Sequence, residues 1–481
     1  MLFNSVNFII FFPIFFLLYW FIAKNRQQQN IALMLGSYFF YGFWDIRFCG
    51  LLLFSTLLDY FLALKIANSK GKEGKIWLWS SIGINVGFLG IFKYYNFFAS
   101  SFVTLLAHFG LQSNAWLINI VLPVGISFYT FHGLSYIIDV YKARIEPERN
   151  FMSYAVFVSF FPLLVAGPIE RATHLLPQIQ KMRVFNYEKG VDGLRQILWG
   201  FFKKLVVADS CAEIADKIFN NHLDYGGSTI ALGAIFFAFQ IYGDFSGYSD
   251  IALGVARLLG IELIRNFANP YFSRDIAEFW RRWHISLTSW FRDYVYFPLG
   301  GSKQGLLKSL INTFIIFILS GFWHGSNWTF LCWGAINALY FLPLLISNQN
   351  RKNLDIVAQG RSLPSVGEAC KMVFTFSLVT VAWIFFRAEN MTQALSMIAS
   401  LFSKSLLTIP HFEGISKTIP TAFIVLFMLI VEWVSREDSF ALSALGFKWH
   451  WLWRWSFYAF IIFLIGMYMP SKGTPFMYFQ F

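Results

Sequence analysis

The sequence predicts an all-α protein that crosses a membrane many times. Hydrophobic residues make up 57% of its 481 residues and charged residues only 13%, against about 25% charged in an ordinary soluble domain. Aromatic residues reach 20%, and apolar segments long enough to span a bilayer recur along the chain. A soluble fold could not bury so much apolar surface, whereas a bilayer can surround it.

The apolar segments predict roughly 11 to 13 membrane helices, some of them partial. The clearest segments are residues 8–23, 49–64, 76–92, 151–165, 230–242, 373–386, 422–434 and 451–468. Residues 309–350 contain no Asp, Glu, Lys or Arg and are long enough for two spans. No internal repeat is evident, so we expect a single membrane domain over residues 1–481, with an amphipathic or re-entrant cytoplasmic segment at about 262–308.

The net charge of +12 is explained by membrane topology, because cytoplasmic loops of membrane proteins are rich in Lys and Arg. One basic group follows the first apolar segment and another follows the third, so both lie on one side. The two groups are Lys24 with Arg26, and Lys65 with Lys70, Lys72 and Lys75. This pattern predicts an outside N-terminus, a cytoplasmic 65–75 loop and a 45–47 turn that faces out. No nucleic-acid partner is needed to explain the charge, and the first segment reads as a retained span.

Several common sites are absent from the sequence. The four cysteines, Cys49, Cys211, Cys332 and Cys370, have neither metal-ligand spacing nor a disulfide pattern. No phosphate-binding glycine loop, dinucleotide fingerprint, His-Glu-x-x-His motif or Gly-x-Ser-x-Gly elbow occurs. We therefore expect no bound metal, and the sequence argues against ATP-driven transport, serine hydrolysis and common zinc chemistry.

Residues 276–297 predict one amphipathic helix. One face carries Trp280, Trp283, Leu287, Trp290 and Tyr294, and another carries Arg281, His284, Thr288 and Arg292, with Arg282 beside it. An aromatic stripe beside a basic stripe is typical of a helix at the membrane interface. Such a helix either anchors a loop or lines a cavity, and the pattern leaves both open.

His324 is the sharpest chemical signal, because it lies inside the uncharged 309–350 stretch. An ionisable group at membrane depth faces protein or a water-filled cavity and commonly carries function. Gly321 and Gly325 flank it, and the following Ser326 and Asn327 predict a break in the span. Burial favours the uncharged imidazole, which can accept a proton as a general base. The alternative is a buried structural histidine bonded to a neighbouring helix.

Three further groups could carry chemistry. His284 lies on the polar face of the predicted amphipathic helix. Asp244, Ser246 and Asp250 follow an apolar run in residues 242–250, where two glycines predict tight packing. These carboxylates could orient a histidine, pair with Arg281 or Arg282, or only stabilise the fold. Residues 122–133 predict a helix start at Pro123 and Gly125, with His132 in a structural role.

Together these segments resemble the membrane-bound O-acyltransferase superfamily, in particular its bacterial alginate O-acetyltransferase branch. The resemblance is carried by residues 122–129, 160–171, 242–250, 269–300 and 321–328, and it runs from the N-terminus to about residue 345. The Trp-Arg-Arg-Trp-His-Ile-Ser run at 280–286, followed by Trp-His-Gly at 323–325, is hard to meet by chance.

The resemblance implies a ring of membrane helices around a central tunnel. His324 matches the catalytic histidine of the family, and His284 matches the second histidine of the bacterial branch. Trp280, Arg282 and Arg292 lie in the same motif and are expected to shape the tunnel or meet the donor. The remaining candidate tunnel or substrate residues are Asp244, Ser246, Asp250, Trp323 and Asn327.

The function implied by the resemblance is transfer of an acyl group, expected to be acetyl, from a cytosolic thioester such as acetyl-CoA. The acceptor would be a hydroxyl of an extracytoplasmic polysaccharide such as alginate, with a periplasmic or membrane-tethered acetyltransferase partner. The location would be the bacterial cytoplasmic (inner) membrane, with no bound cofactor. Peptidoglycan O-acetylation and teichoic acid D-alanylation are alternatives with the same chemistry.

Two alternatives come from other classes. A transporter or flippase would bind its cargo with Asp244, Asp250 and the arginines and would use His324 as a proton relay. A non-catalytic scaffold of a polysaccharide export complex would need neither histidine. A histidine pair without internal repeats favours the enzyme.

Overall fold

A computed structural model describes residues 1–69, 71–111, 114, 116–118, 121–469, 476 and 477. Throughout these residues the regular secondary structure is helical, and no strand is present. The predicted all-α class is therefore confirmed. Lys70, one of the four lysines in the predicted cytoplasmic loop, lies outside the described residues.

The described residues contain twenty α-helices. They are α1 (Val6–Phe21), α2 (Arg26–Gly42), α3 (Ile46–Asn68), α4 (Lys72–Leu89), α5 (Tyr95–His108), α6 (Ile126–Tyr141), α7 (Phe151–Ser159), α8 (Phe161–Leu164), α9 (Ala172–Ile179), α10 (Tyr187–Phe201), α11 (Asp209–Asn220), α12 (Gly227–Leu258), α13 (Ile276–Arg282), α14 (Ile285–Phe291), α15 (Leu306–His324), α16 (Trp328–Ile346), α17 (Val366–Arg387), α18 (Met391–Leu401), α19 (Thr418–Val434) and α20 (Trp451–Tyr468). Three π-helical segments, Gly90–Tyr94, Phe202–Ala208 and Arg292–Tyr296, follow α4, α10 and α14.

Eight helices in the described part of the chain are long and apolar enough to cross a membrane. They are α3, the continuous run from α4 to α5, α12, α15, α16, α17, α19 and α20. The chain is thus a multi-pass membrane protein. The sequence-based number of 11 to 13 also counted shorter apolar segments such as α1, which has 16 residues. The uncharged 309–350 stretch folds as two helices, α15 and α16, as predicted.

One predicted span is wrong. Residues 151–165 fold as the short helices α7 and α8, which have nine and four residues. A helix of nine residues is only about 14 Å long, which is too short for the hydrocarbon core. Both helices are buried almost completely inside the protein, so their apolar character reflects protein packing rather than contact with lipid.

Glycines bring α12 close to α10 and to the π-helical segment after it. A Cβ on Gly247 would lie 2.7 Å from the carbonyl oxygen of Gly200, and a Cβ on Gly254 would lie 2.4 Å from that of Gly193. Only hydrogen fits at these contacts. The tight packing predicted for Gly243 and Gly247 is therefore confirmed, and the same contact orients the buried polar residues of α12.

Asp244 and Asp250 of α12 pair with lysines of the adjacent π-helical segment. Lys204 Nζ lies 2.6 Å from Asp244, and Lys203 Nζ lies 2.7 Å from Asp250. Pairing with Arg281 or Arg282, one of the three alternatives that the sequence left open, is therefore not the arrangement in the structure. The two lysines follow α10 and reach α12 because of the close packing of these helices, a contact that sequence spacing does not reveal.

The single amphipathic helix predicted at 276–297 is also wrong. The segment is divided into α13, α14 and the π-helical Arg292–Tyr296, and His284 breaks the first two with a left-handed backbone (φ 44°, ψ 54°). A continuous 3.6-residue period does not apply across this break. The aromatic and basic faces deduced from that period therefore do not persist along the segment.

The packing of α12 leads to a stability prediction. Gly247→Ala places a methyl group against the backbone of Gly200 and should destabilise the protein by about 1–3 kcal/mol, the usual cost of overpacking. The matched control is Gly83→Ala in α4, where an added Cβ has no heavy atom within 4 Å. Melting temperatures of the purified proteins in detergent test the difference. Equal melting temperatures for the two variants would contradict the described packing.

Candidate functional site

His324 is the last residue of α15, at the turn into α16. The helix ends there because Gly325 takes an extended conformation (φ −162°, ψ 155°), and an added Cβ would lie 2.1 Å from the Phe330 ring. Asn327 then caps α16, since its side chain accepts from Thr329 N at 3.1 Å. The break predicted after His324 is thus a turn between two helices.

The imidazole of His324 lies in an aromatic enclosure and is only 4% exposed. Its ring centroid is 4.9 Å from that of Trp323, 5.1 Å from Trp333 and 5.2 Å from Phe386, all in edge-on geometry. The ring of His284 lies 6.4 Å away. These rings restrict the orientation of the imidazole and limit its contact with water.

His284 is completely buried and comes from the break between α13 and α14. Its Nδ1 lies 3.3 Å from Asn266 Oδ1, which also accepts from the backbone N (3.3 Å) and the hydroxyl (2.6 Å) of Ser286. The ring stands edge-on to Phe245 at 4.7 Å. Asn266 therefore holds both sides of the break that presents His284.

These contacts assign the tautomer of His284. An amide oxygen only accepts hydrogen bonds, so the Nδ1 that faces it carries the proton. Nε2 then keeps a lone pair, and this buried atom has no hydrogen-bond partner within the described part of the chain. Because the hydrogen bond at one ring nitrogen sets the role of the other, His284 presents an acceptor atom in the neighbourhood of His324.

Two other predicted residues lie close to the histidine pair. Trp323 contacts both histidine rings, at 5.9 Å from His284. Trp280 lies one layer further out, since it packs edge-on at 5.7 Å against Trp333, which itself borders His324.

The other predicted residues lie in other surroundings. Asn327 donates to the carbonyl of Glu389 at 2.7 Å and so ties the α15–α16 turn to the connection between α17 and α18. Ser246 is buried within α12. Asp244 and Asp250 belong to the ionic pairs with the lysines. Arg292 is largely exposed and pairs with Asp293 at 2.9 Å.

A cavity of about 260 Å³ opens beside Trp323, and we call it the Trp44 cavity. Its walls are Trp44, Lys93, Phe128, Val165, Trp323 and the segment 121–127. Trp44 lies in the turn between α2 and α3, next to the residues that the charge pattern predicts to face out. The cavity therefore opens toward the predicted extracytoplasmic side.

A second cavity, of about 100 Å³, is lined in part by the segments that follow α16 and α19. We call it the Arg265 cavity. Its walls include Tyr242 and Phe267, the basic residues Lys203, Arg265, Arg282 and Arg436, and the acidic residues Asp250, Glu432, Glu437 and Asp438. Arg282 pairs with Glu278 at 2.8 Å. Burial and then the charge of Arg282 lower the pKa of Arg265 from its ordinary value, although a guanidinium stays charged at neutral pH.

Aromatic side chains separate the histidines from both cavities. Trp323 is a wall of the Trp44 cavity and touches both histidine rings. Phe267 is a wall of the Arg265 cavity and packs at 5.0 Å against Phe245, which covers His284. A substrate in either cavity would thus be one or two aromatic rings away from the histidine pair.

Sequence reasoning missed Asn266, Lys93 and Arg265. Asn266 and Arg265 lie in the polar 262–308 stretch but belong to no motif that singles them out. Lys93 could have been found, because it is an ionisable residue inside an apolar run, the same signal that identified His324. Among the described residues, no three His, Cys, Asp or Glu side chains lie close enough together to hold a metal ion.

Comparison with known proteins gives consistent matches. The membrane-bound O-acyltransferase family model matches residues 141–386. The chain is 38% identical over 402 residues to a probable alginate O-acetylase of Pseudomonas putida, which covers 83% of this chain and 80% of that protein. It is 33% identical over 443 residues to a peptidoglycan O-acetyltransferase of Helicobacter pylori, covering 85% and 81%. A teichoic acid D-alanyltransferase of Bacillus subtilis is 30% identical over 241 residues, 46% of this chain and 58% of that protein.

The role of Asn266 can be tested through stability. Asn266→Leu removes the acceptor used by His284 and Ser286 and should destabilise the protein by about 1–3 kcal/mol, the cost of a buried polar group left unsatisfied. Asn221→Leu, at an exposed site after α11, is the control and should change stability by less than about 0.5 kcal/mol. Thermal unfolding in detergent measures both. An unchanged melting temperature for Asn266→Leu would contradict the bonding described above.

Proposed function

The chain belongs to the membrane-bound O-acyltransferase family, and from this premise we propose that it moves an acetyl group from a cytosolic thioester to a hydroxyl of an extracytoplasmic polysaccharide such as alginate. It is an O-acyltransferase, and the names of the matched relatives specify acetyl or alanyl groups. The observation that supports the site is the pair of buried histidine rings, 6.4 Å apart, with a cavity on each side.

His324 is the proposed general base. Its ring nitrogen takes the proton of the acceptor hydroxyl, and the hydroxyl oxygen attacks the carbonyl carbon of the thioester. The tetrahedral intermediate collapses, the carbon–sulfur bond breaks, and the thiolate takes the proton from the imidazolium. Atoms and charge balance without any further reactant. A positioned base of this kind contributes about 10²- to 10⁴-fold to a rate.

His284 is the proposed second histidine of the site. Because Asn266 fixes the proton on Nδ1, Nε2 is available to accept a hydrogen bond from the acceptor or from a water that carries its proton. The aromatic rings around the pair keep bulk water away from the reaction. This matters because water would compete with the acceptor hydroxyl for the thioester.

The donor is proposed to enter through the Arg265 cavity. Arginine suits phosphate groups because its fork of N–H donors matches their geometry, and acetyl-CoA carries several phosphates. Arg265 has no carboxylate within 4.0 Å among the described residues, so its charge is available to a ligand. Arg265, Phe267 and Arg282 line the cavity and belong to the 262–308 segment, which is predicted to be cytoplasmic.

We place the protein in the bacterial cytoplasmic membrane, where it would act together with a periplasmic or membrane-tethered acetyltransferase partner. Peptidoglycan is the second candidate acceptor, and the match to the Helicobacter pylori peptidoglycan O-acetyltransferase over 85% of this chain favours it.

The catalytic assignment predicts that His324→Asn reduces acetyl incorporation into cell-surface glycan by about 10²-fold or more, because no base remains at that position. Asparagine is polar and of similar size, which limits disturbance of the α15–α16 turn. His108→Asn, at the exposed end of α5, is the matched control and should retain activity. Glycan acetylation and the amount of inserted protein are measured in the same cells.

A His324→Asn protein that is inserted at normal levels and acetylates fully would refute the assignment. A non-catalytic scaffold would also tolerate the combined loss of His284 and His324. The double variant therefore separates an enzyme from a scaffold.

The donor assignment predicts that Arg265→Gln raises KM for acetyl-CoA about tenfold, with kcat nearly unchanged, because a charge-assisted hydrogen bond to phosphate is lost. The assay uses the purified protein in proteoliposomes with its acceptor. Arg351→Gln, in the exposed loop after α16, is the control. Arg292→Gln should have a smaller effect than Arg265→Gln, since Arg292 pairs with Asp293. An unchanged KM for Arg265→Gln would exclude this cavity as the donor site.

A further inference from the structure

Lys93 holds its side-chain nitrogen beside the histidine-bearing turn. It lies in the π-helical segment Gly90–Tyr94, and its Nζ donates to the carbonyl oxygens of Trp323 (2.7 Å) and His324 (3.1 Å). The hydroxyl of Tyr94 donates to the carbonyl of Phe322 at 3.1 Å. The last carbonyls of a helix have no partner within it, so these bonds cap α15 and hold the lysine in place.

Lys93 differs from the two buried lysines elsewhere in the protein. Lys203 and Lys204 both have carboxylates within 3.0 Å. Within the described part of the chain, no carboxylate lies within 4.0 Å of Lys93. Charges inside proteins are normally paired, because removal from water is costly. The charge of Lys93 thus lacks the partner that the other two lysines have.

The ammonium of Lys93 lines the Trp44 cavity. An ammonium group has three N–H donors, and the two carbonyls take two of them. The remaining walls are two tryptophans, apolar side chains and backbone, with Ser127 as the other polar side chain. At about 260 Å³, the cavity is near the lower end of the usual size for small-molecule sites, about 300–1,000 Å³, which suits one sugar unit rather than a long oligosaccharide.

We propose that the Trp44 cavity is the acceptor site and that it recognises a sugar carboxylate, which binds the ammonium of Lys93 while the sugar ring lies against Trp44 and Trp323. This inference rests on the proposed function and adds the chemical class of the acceptor. The carbonyl bonds of Lys93 reach the backbone of His324 itself, so an acceptor held on Lys93 is brought to the residue proposed as the base.

Two kinds of sugar could supply the carboxylate that binds Lys93. Uronic acid units of an acidic polysaccharide carry one on the ring, and N-acetylmuramic acid carries one on its lactyl group wherever no peptide is attached there. A neutral glycan has no group that could pair with Lys93. The cavity therefore favours acidic acceptors over neutral ones, whichever of the two sources supplies them.

Direct binding tests the proposal without any chemistry. The full-length protein is placed in nanodiscs of zwitterionic lipid, without donor, and titrated calorimetrically with three probes. The probes are a short oligouronate, the same oligosaccharide after reduction of its carboxylates to alcohols, and the disaccharide of N-acetylglucosamine and N-acetylmuramic acid. We expect the wild-type protein to bind at least one acidic probe about tenfold or more tightly than the reduced one.

Variants then assign the preference to Lys93. Lys93→Met should abolish the difference between acidic and reduced probes, whereas Lys93→Arg should retain it. Tyr94→Phe loses the bond to Phe322 but keeps the charge, so it should retain the preference and thereby separates capping of α15 from anion binding. Lys404→Met, at an exposed site after α18, is the control for general loss of positive charge.

The results of these binding titrations can be separated from the results that test acetyl transfer. Equal binding of acidic and reduced probes by the wild-type protein would overturn the proposal even if Lys93→Met failed to fold. Retention of the preference in a folded Lys93→Met protein would overturn it as well. His324→Asn should bind the acidic probe normally, so a binding result stands independently of whether acetyl transfer is lost.

Discussion

The structure depends on one constraint: polar groups inside a membrane helix bundle must find partners within the protein, because the surrounding hydrocarbon offers none. The helices obey it through their own backbone bonds. The irregular segments obey it through a few side chains that each satisfy several groups. Asn266 Oδ1 serves one histidine and both polar groups of Ser286, and Lys93 serves two terminal carbonyls of α15.

The same constraint explains where the irregular backbone occurs. Each of the three π-helical segments in the described residues carries a basic residue: Lys93 in the first, Lys203 and Lys204 in the second and Arg292 in the third. A π-turn inserts a residue into a helix and redirects the side chains around it, and such turns are frequent at functional sites. The left-handed residue His284 acts similarly, because it ends α13 and aims an imidazole inward. Irregular backbone thus coincides with basic or titratable residues, and Lys203, Lys204 and His284 among them are buried.

Composition and apolar length predicted the all-α membrane class, the two-helix interpretation of residues 309–350 and the helix start after Gly125, which takes a left-handed conformation (φ 76°). The two helices and the helix start are set by short stretches of sequence, and the membrane class depends on the total apolar surface of the chain. The partners of Asp244 and Asp250 could not be predicted, since Lys203 and Lys204 reach them across a glycine contact between distant helices. The break at His284 was missed for a related reason: Asn266, eighteen residues earlier, stabilises it, and a helical period cannot include that contact.

The arrangement of two cavities around a closed centre has a chemical reason. An acceptor hydroxyl and a water molecule are similar nucleophiles, so an enzyme that exposes a thioester to water would lose it to hydrolysis. Trp323 on one side and Phe267 with Phe245 on the other lie between the histidine pair and the two cavities. An acceptor held on Lys93 would press against Trp323, and a donor in the Arg265 cavity would press against Phe267. Since the same aromatic residues border both the cavities and the histidines, a ligand in either cavity would contact the side chains that separate it from His284 and His324.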